Sequence, residues 1–423
     1  MQQSLRPQSF DGALGRQIIA LHRWAVDQGL RGAAAEGLFE GFCQRLVAAG
    51  VPLWRAFAGM RTLHPQWAGY AYTWRRDLDA VEPAQFERSA EYEHEIQTSP
   101  FAGLLREAEM TSSHDARLQL RRRLTGPEAQ PDFPLLKTLA SAGGTDYFAE
   151  VIGFGVGVGG ETSRGNGIAY SFASDRPDGF RDDDLLLIQA VLPAVSLAVM
   201  SDAGHIIASG LLAAYLGEDA GRRVHAGAVE RGSVESIRAV LWYADIRGFT
   251  TIADTWPGLV VIELLNEVFE ALAAPLRRRG GQVLKFLGDG MLATFPIDAA
   301  TRAETCRGAL DAATEAMAAL DRLNRAREEA GKPTAAVDLA LHLGEVLYGN
   351  IGAVDRVDFT VIGPAVNEAS RIEVLCEPLG RKVLVSAELA AAVGDSRRLE
   401  PLGRQTLRGV REPREIYALD LGS

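Results

Sequence analysis

From Ser236 onward the chain alternates short apolar runs with long amphipathic ones, and this order constrains the fold more than any other feature. Strand patterns fall at 237–244, 282–287, 291–296, 335–343, 358–362 and 382–385, helical patterns at 257–279, 299–330 and 364–376, and a pair of strands closes the chain. The helices show apolar residues at 3.6-residue spacing, whereas the strands are too short and too β-branched for that period. The first helix is punctuated at both ends: Asp254 or Thr255 as cap, Pro257 in its first turn, Arg277 to Arg279 in its last, and Gly280-Gly281 beyond.

The order βαββαβ is the ferredoxin-like supersecondary pattern, so the C-terminal half is expected to be an α+β domain. Two turns in it carry chemistry. Strand 237–244 ends in Asp245, and Ile246-Arg247-Gly248-Phe249-Thr250-Thr251 then turns away toward a helix. A carboxylate at a strand end suits a cation, and consecutive amides beside a glycine suit polyphosphate oxygens. Asp289 sits in Lys285-Phe286-Leu287-Gly288-Asp289-Gly290, a tight hairpin whose flanking glycines are expected to supply positive φ. In a ferredoxin-like sheet this hairpin lies beside strand 237–244, so the two aspartates converge across 44 residues of sequence. Two Asp oxygens, a backbone carbonyl and nucleotide phosphates together make a hard-oxygen site for Mg²⁺ or Mn²⁺.

DIRGFT, KFLGDG and VIGPAVNEASR, in this order and spacing, resemble the catalytic domain of class III adenylyl and guanylyl cyclases over nearly all of residues 236–420. The resemblance implies two Mg²⁺ or Mn²⁺ ions per site on Asp245, Asp289 and the Ile246 carbonyl. It implies attack of a nucleoside triphosphate's 3′-hydroxyl on its own α-phosphorus, with pyrophosphate leaving. Asn367 and Arg371 match the ribose-orienting and transition-state residues, and i, i+4 spacing puts them on one helix face. Lys285 and Thr360 match the base-reading pair. A Lys donor with a hydroxyl partner suits the adenine edge, where guanylyl cyclases place Glu and Cys, so ATP is the expected substrate. Thr360 in place of Asp resembles the subgroup that includes bicarbonate-responsive cyclases. Arg408 matches the family's triphosphate-binding Lys and keeps the charge, beside the amides of Gly248, Phe249 and Thr250 in the turn already read as phosphate-binding. Asp338 stands where many members carry Arg, and His342 reads as a core or hairpin residue. In this family each site lies between two catalytic domains, so a homodimer with two equivalent sites is implied. The rival reading is a catalytically silent cyclase fold that binds ATP as a sensor; no GGDEF-type segment points to a diguanylate cyclase.

The first half has a different texture. Residues 12–125 are mostly helical in pattern, and from Phe133 short apolar stretches cut by glycine predict a small antiparallel sheet. The segment Gly155 to Gly160 matches GxGxxG, yet no helix pattern or acidic ribose ligand follows, so a glycine-rich hairpin is expected there and no dinucleotide site. SFASDRPDGFRDDDLLLIQAVLPAVSLAV, a strand, a polar turn and an amphipathic helix, resembles the C-terminal end of GAF domains. The fold expectation is therefore an N-terminal α/β GAF-like sensor domain with a helical start (1–202), a helical linker or transducer (203–235) and the cyclase domain (236–423). His22, His64, His94 and His114 are scattered and form no cofactor site. With 44 Lys plus Arg against 55 Asp plus Glu, net −11, the chain has no basic excess for nucleic acid. The N-terminus lacks the apolar core of a signal peptide, and Leu185 to Met200, interrupted by Pro193, is short for a membrane span and reads as a buried helix with Asp182-Asp183-Asp184 at its N-terminus. Cys43, Cys306 and Cys376 are few and far apart, which suits a reducing cytoplasm. The expected partners are ATP, a second copy of the chain, and an unknown regulatory ligand at the N-terminal domain.

Overall fold

The computed structural model describes residues 12–110, 117–154, 167–298, 300–394 and 398–422. The chain divides into two compact units, Met1–Leu211 and Leu212–Ser423.

The first unit contains α1 (Ala13–Leu30), α2 (Ala35–Ala48), β1 (Leu53–Arg61), β2 (Trp67–Arg75), β3 (Ala80–Glu87), α3 (Ala90–Gln97), α4 (Pro100–Met110), β4 (Arg117–Arg123), α5 (Pro134–Ser141), β5 (Asp146–Gly153), β6 (Gly167–Ser174) and most of α6 (Asp182–Leu216). Its strands form one antiparallel sheet in the order β3-β2-β1-β6-β5-β4. One face is covered by α1, α2 and α6, with Phe39, Phe42, Phe172, Val191 and Val195 at the centre of the core. The other face carries α4 and α5 through Leu104, Leu136, Leu139 and Tyr147.

This corrects the helical reading of residues 12–125, because helix gives way to sheet at Leu53. In LWRAFAGMR and WAGYAYTWR small and aromatic residues alternate with period two. The many alanines weaken that signal, since Ala favours helix and leaves no bulk on either face. The helix expected at Leu185 to Met200 is present and buried, but it continues without a break to Leu216. By length and composition α6 is the one described helix able to cross a membrane, and more than half of its most apolar window is packed inside the protein. The Gly155–Gly160 segment and His114 lie outside the described residues.

The second unit contains α7 (Glu218–His225), β7 (Val234–Ile246), α8 (Phe249–Thr255), α9 (Gly258–Arg278), β8 (Gln282–Leu287), β9 (Gly290–Pro296), α10 (Arg302–Glu329), β10 (Val337–Gly352), β11 (Val357–Ile362), α11 (Pro364–Glu373), β12 (Val383–Ser386), α12 (Ala387–Val393), β13 (Leu399–Gln405) and β14 (Arg414–Leu419). The sheet runs β13-β14-β12-β10-β7-β9-β8, with β11 also paired to β10. Helices α9 and α10 bury Leu264, Val268, Leu272, Ala309 and Ala313 against Trp242, Phe295 and Leu341 of the sheet. Each of the Leu, Val and Phe side chains contributes about 1.5 to 3 kcal/mol on burial, and the two alanines let the helices approach closely, which fixes the sheet against the helices and so fixes its strand ends. Asp254 and Thr255 do not cap α9: they end the separate turn α8, and Pro257 is the residue before Gly258, where α9 starts.

Candidate active site

Strand β7 is central in its sheet, flanked by β9 on one side and β10 on the other, and Asp245 lies next to its C-terminal end. The β8–β9 hairpin turns through Gly288-Asp289, with Leu287 opposite Gly290. Only Gly288 has positive φ, at 68°; Gly290 does not. The expectation of two left-handed glycines is thus corrected: one positive-φ residue at the first central position is the pattern of a type II′ turn. The second glycine answers to space instead. A Cβ on Gly290 would lie 2.9 Å from Asp245 Oδ2 and 3.1 Å from the Ala244 carbonyl.

The two aspartates meet. The pKa of Asp245 is pushed up to about 6 by burial first, then by the neighbouring carboxyl group of Asp289, then by the charge of Asp338. Asp338 lies directly across the β7–β10 ladder from Asp245. It is paired with Arg247, whose Nε donates to its Oδ2 at 3.0 Å and whose Nη2 donates to Oδ1. Glu373, near the end of α11, is buried and pushed up to about 8, by burial first and then by the charges of Asp245 and Asp338. Sequence reading missed Arg247, Asp338 and Glu373 as parts of one acidic cluster. The first lay inside DIRGFT, but only the antiparallel register shows what it faces. Among the described residues no group of three or more His, Cys, Asp or Glu side chains is arranged to hold a metal by itself.

The other expected residues fall at separate places. Lys285 on β8 approaches Asp358 of β11, Nζ to Oδ2 at 3.6 Å. Thr360 stands two residues further along β11, on the same face by strand alternation, and its hydroxyl is buried without a hydrogen-bond partner. Asn367 and Arg371, on α11, open with Gly409, Val410 and Arg414 onto a groove of about 620 Å³ that neither Asp245 nor Asp289 lines. Helical geometry separates the two functions of α11. Residues 367 and 371 share one face, while Glu373, about 200° further round than Arg371, turns toward the acidic cluster. Arg371 makes no hydrogen bond or ion pair among the described residues, and its guanidinium lies 3.5 Å from the Cβ position of Gly409, beside the exposed Arg408. Gly248, Phe249 and Thr250 open α8, and their amides precede its first hydrogen bond, from Thr251 N–H to the Gly248 carbonyl at 3.0 Å. His342 is buried in β10 with Nδ1 3.8 Å from Glu388, and burial pulls its pKa down.

The family "Adenylate and Guanylate cyclase catalytic domain" matches residues 233–420. An adenylate cyclase of Anabaena cylindrica is 33% identical over 162 residues, which cover 37% of this chain and 31% of that protein. Adenylate cyclase 2 of Rhizobium meliloti (strain 1021) is 30% identical over 239 residues, covering 55% of this chain and 64% of that protein. The chain thus spans less than two thirds of the length of these relatives. Among solved structures, a bacterial light-regulated adenylyl cyclase is 23% identical, with a TM-score of 0.46 over 55% of this chain and 65% of its own. Residues 233–420 of this chain belong to the family of class III adenylyl and guanylyl cyclase catalytic domains.

Proposed function

We propose that the chain is an adenylyl cyclase, converting ATP to 3′,5′-cyclic AMP and pyrophosphate at a site completed by a second copy of itself. The observation that carries this reading is the meeting of Asp245 and Asp289 at the ends of two neighbouring strand segments, inside a cyclase catalytic domain. Relatives named as adenylate cyclases support ATP as the substrate.

Asp245, Asp289 and the Ile246 carbonyl would hold two Mg²⁺ or Mn²⁺ ions. The residues fit such ions: the donors are hard oxygens, Asp245 is raised toward neutrality by crowding with other acids, and Gly290 leaves open the space a Cβ would fill. When bound, the ions supply charge stabilisation on the triphosphate and lower the pKa of the ribose 3′-hydroxyl. In the reaction the 3′-oxygen bonds to the α-phosphorus, the bond to the bridging β-phosphate oxygen breaks, and the hydroxyl proton passes to solvent. Asn367 orients the ribose, and Arg371 neutralises charge on the α-phosphoryl oxygens as it builds. Arg408 and the amides of Gly248, Phe249 and Thr250 grip the phosphates. Lys285 and Thr360 read the adenine edge.

Because the groove of Asn367 and Arg371 excludes both aspartates, we assign the two sets to different subunits of a homodimer, each subunit giving one set to each of two sites. We read the second unit's core as ferredoxin-like, supported by the antiparallel order β10-β7-β9-β8, and the first unit as a GAF-like regulatory domain spanning residues 1–202. Residues 203–235 would transmit its state to residues 236–423. Within the second unit α7 is tied to β10 by the Tyr348 hydroxyl, which donates to Asp219 at 3.1 Å, and to the start of β7 by the Arg223–Glu235 pair. A cytoplasmic location is supported by three buried free cysteines and by the packing of α6 within the protein.

The test is product formation by the full-length protein with ATP or GTP and Mn²⁺ or Mg²⁺. Cyclic AMP from ATP, lost in Asp245→Ala, is expected. ATP binding with no cyclic product under any condition would instead make the protein a silent nucleotide sensor.

A further inference from the structure

The first unit holds an open cavity of about 350 Å³ on the sheet face opposite α1, α2 and α6. Its origin is visible in β1, where period-two alternation sends Ala56, Ala58 and Met60 into the core and Arg55, Phe57 and Gly59 to the other face. The floor from the neighbouring strands is built of small residues: Ala71, Gly153, Gly167, Ala169 and Ser171. A sheet face floored this way cannot fill the space beneath the helices that cover it. The walls are large and apolar. Phe57 stacks on Phe101 at 5.9 Å between ring centroids, and Phe86 stacks on Tyr92 at 5.0 Å. Ile96 and Leu105 complete them.

Two cations line this space, and they differ. Arg61 is already held by Glu93, at 2.7 Å. Arg55 makes no hydrogen bond or ion pair among the described residues, although it is half-buried. Burial pulls its pKa below the ordinary arginine value, and the groups that act on it are Tyr147, Arg75 and Glu82. A guanidinium taken out of water without an anion is costly, and structures retain one where a carboxylate or phosphate arrives to pair with it. The one acid among the described lining residues, Glu95, is exposed. One cation without an ion pair among the described residues, in a mostly apolar space, matches a single negative charge; a phosphate, with more charge and more acceptor oxygens, would ask for several donors. The volume lies at the small end of ligand pockets.

We propose that this cavity binds a small aromatic carboxylic acid, its ring body between Phe57, Phe101 and Tyr92 and its carboxylate on the Arg55 guanidinium. The site is independent of the cyclase reading, since every residue in it belongs to the first unit.

Calorimetry on the full-length protein with 2-naphthoate, and with 2-naphthamide as its neutral isostere, tests this. The wild type is expected to bind the acid at least about tenfold more tightly than the amide, the scale of one charge-assisted bidentate pair. Arg55→Gln should bring the two to within about twofold, and Ala169→Leu, which fills the floor, should abolish binding of both. Arg55→Gln should also melt no lower than the wild type, because it removes a half-buried charge that pairs with none of the described residues. No binding of the acid by the wild type, an undiminished preference in Arg55→Gln, binding retained in Ala169→Leu, or a clear loss of thermal stability in Arg55→Gln would each overturn the proposal.

Discussion

The two glycines around Asp289 separate stability from chemistry, and substituting each with alanine should show it. At Gly290 the backbone is of a kind any residue adopts, so strain is absent. The added Cβ would meet Asp245 Oδ2 at 2.9 Å and the Ala244 carbonyl at 3.1 Å, both closer than a carbon normally approaches. Backbone in the middle of a sheet yields little, so the carboxylate end of Asp245 swings away by several tenths of an ångström. The cost in stability is small, about 1 kcal/mol or less, because one half-exposed side chain absorbs the displacement. The cost in rate is not small. A catalytic group misplaced by about 1 Å loses about 10²-fold, so Gly290→Ala should lower cyclic AMP formation by about 10- to 100-fold. At Gly288 the situation is reversed: nothing lies within 4 Å of its Cβ position, but φ is 68°. Gly288→Ala therefore costs about 1 to 2 kcal/mol of backbone strain, which lowers Tm by about 2 to 8 °C in a unit of this size, with a smaller loss of rate than in Gly290→Ala. Initial rates and melting curves of the two variants, measured side by side, check both halves. A Gly290→Ala enzyme of wild-type rate and wild-type Tm would refute the crowding argument, because the Asp245 carboxylate would then have no fixed position to lose.

Other expectations follow from the same geometry. Lys285→Glu combined with Thr360→Cys should shift the ratio of cyclic GMP to cyclic AMP toward GTP by at least about tenfold, measured at equal ATP and GTP. Asp146, fully buried in the first unit, is held by Arg121 at 2.8 Å and by Arg123 at 3.3 Å, and accepts from Phe180 N–H at 2.9 Å. Asp146→Ala leaves these donors unpaired and should cost about 3 kcal/mol, or about 6 to 12 °C in the melting of that unit by calorimetry. Glu150 is raised above the ordinary carboxylate range by burial, against the opposing pull of Arg117. Because the fold holds this proton more tightly than the unfolded chain does, its contribution to stability is full at low pH and is lost as pH rises through the raised value. Melting curves across that range should show the loss in the wild type and not in Glu150→Gln.

The second half was legible because its signals were local. Asp245 followed an apolar strand and Asp289 sat between glycines in a two-residue turn, so each could be placed from its neighbours alone, whereas Asn367 and Arg371, one helical turn apart, were singled out by the resemblance to cyclase catalytic domains. The expectation that Asp245 and Asp289 converge required the hairpin to lie beside β7, and β9 does pair with β7. What could not be read there was long-range. Asp338 faces Asp245 only through the β7–β10 register, and Glu373 joins them only through the packing of α11. The first half was harder for a different reason. Its strands β1 and β2 are rich in Ala and Gly, and the same small residues that blur the period-two signal also leave the cavity beneath Arg55. Nothing in the sequence sets Arg55 apart from a surface arginine, since its half-buried place shows only in the fold.

The central claim is an active site shared by two chains, and subunit complementation tests it most directly. Asp245→Ala and Arg371→Ala chains, each inactive alone, are co-expressed with different tags and the doubly tagged dimer is purified. Each such heterodimer should carry one intact site and one doubly defective site, and so recover about half of the wild-type cyclic AMP rate per dimer. A heterodimer as inactive as its parents would contradict the shared site, and full activity in either parent alone would remove that residue from the chemistry.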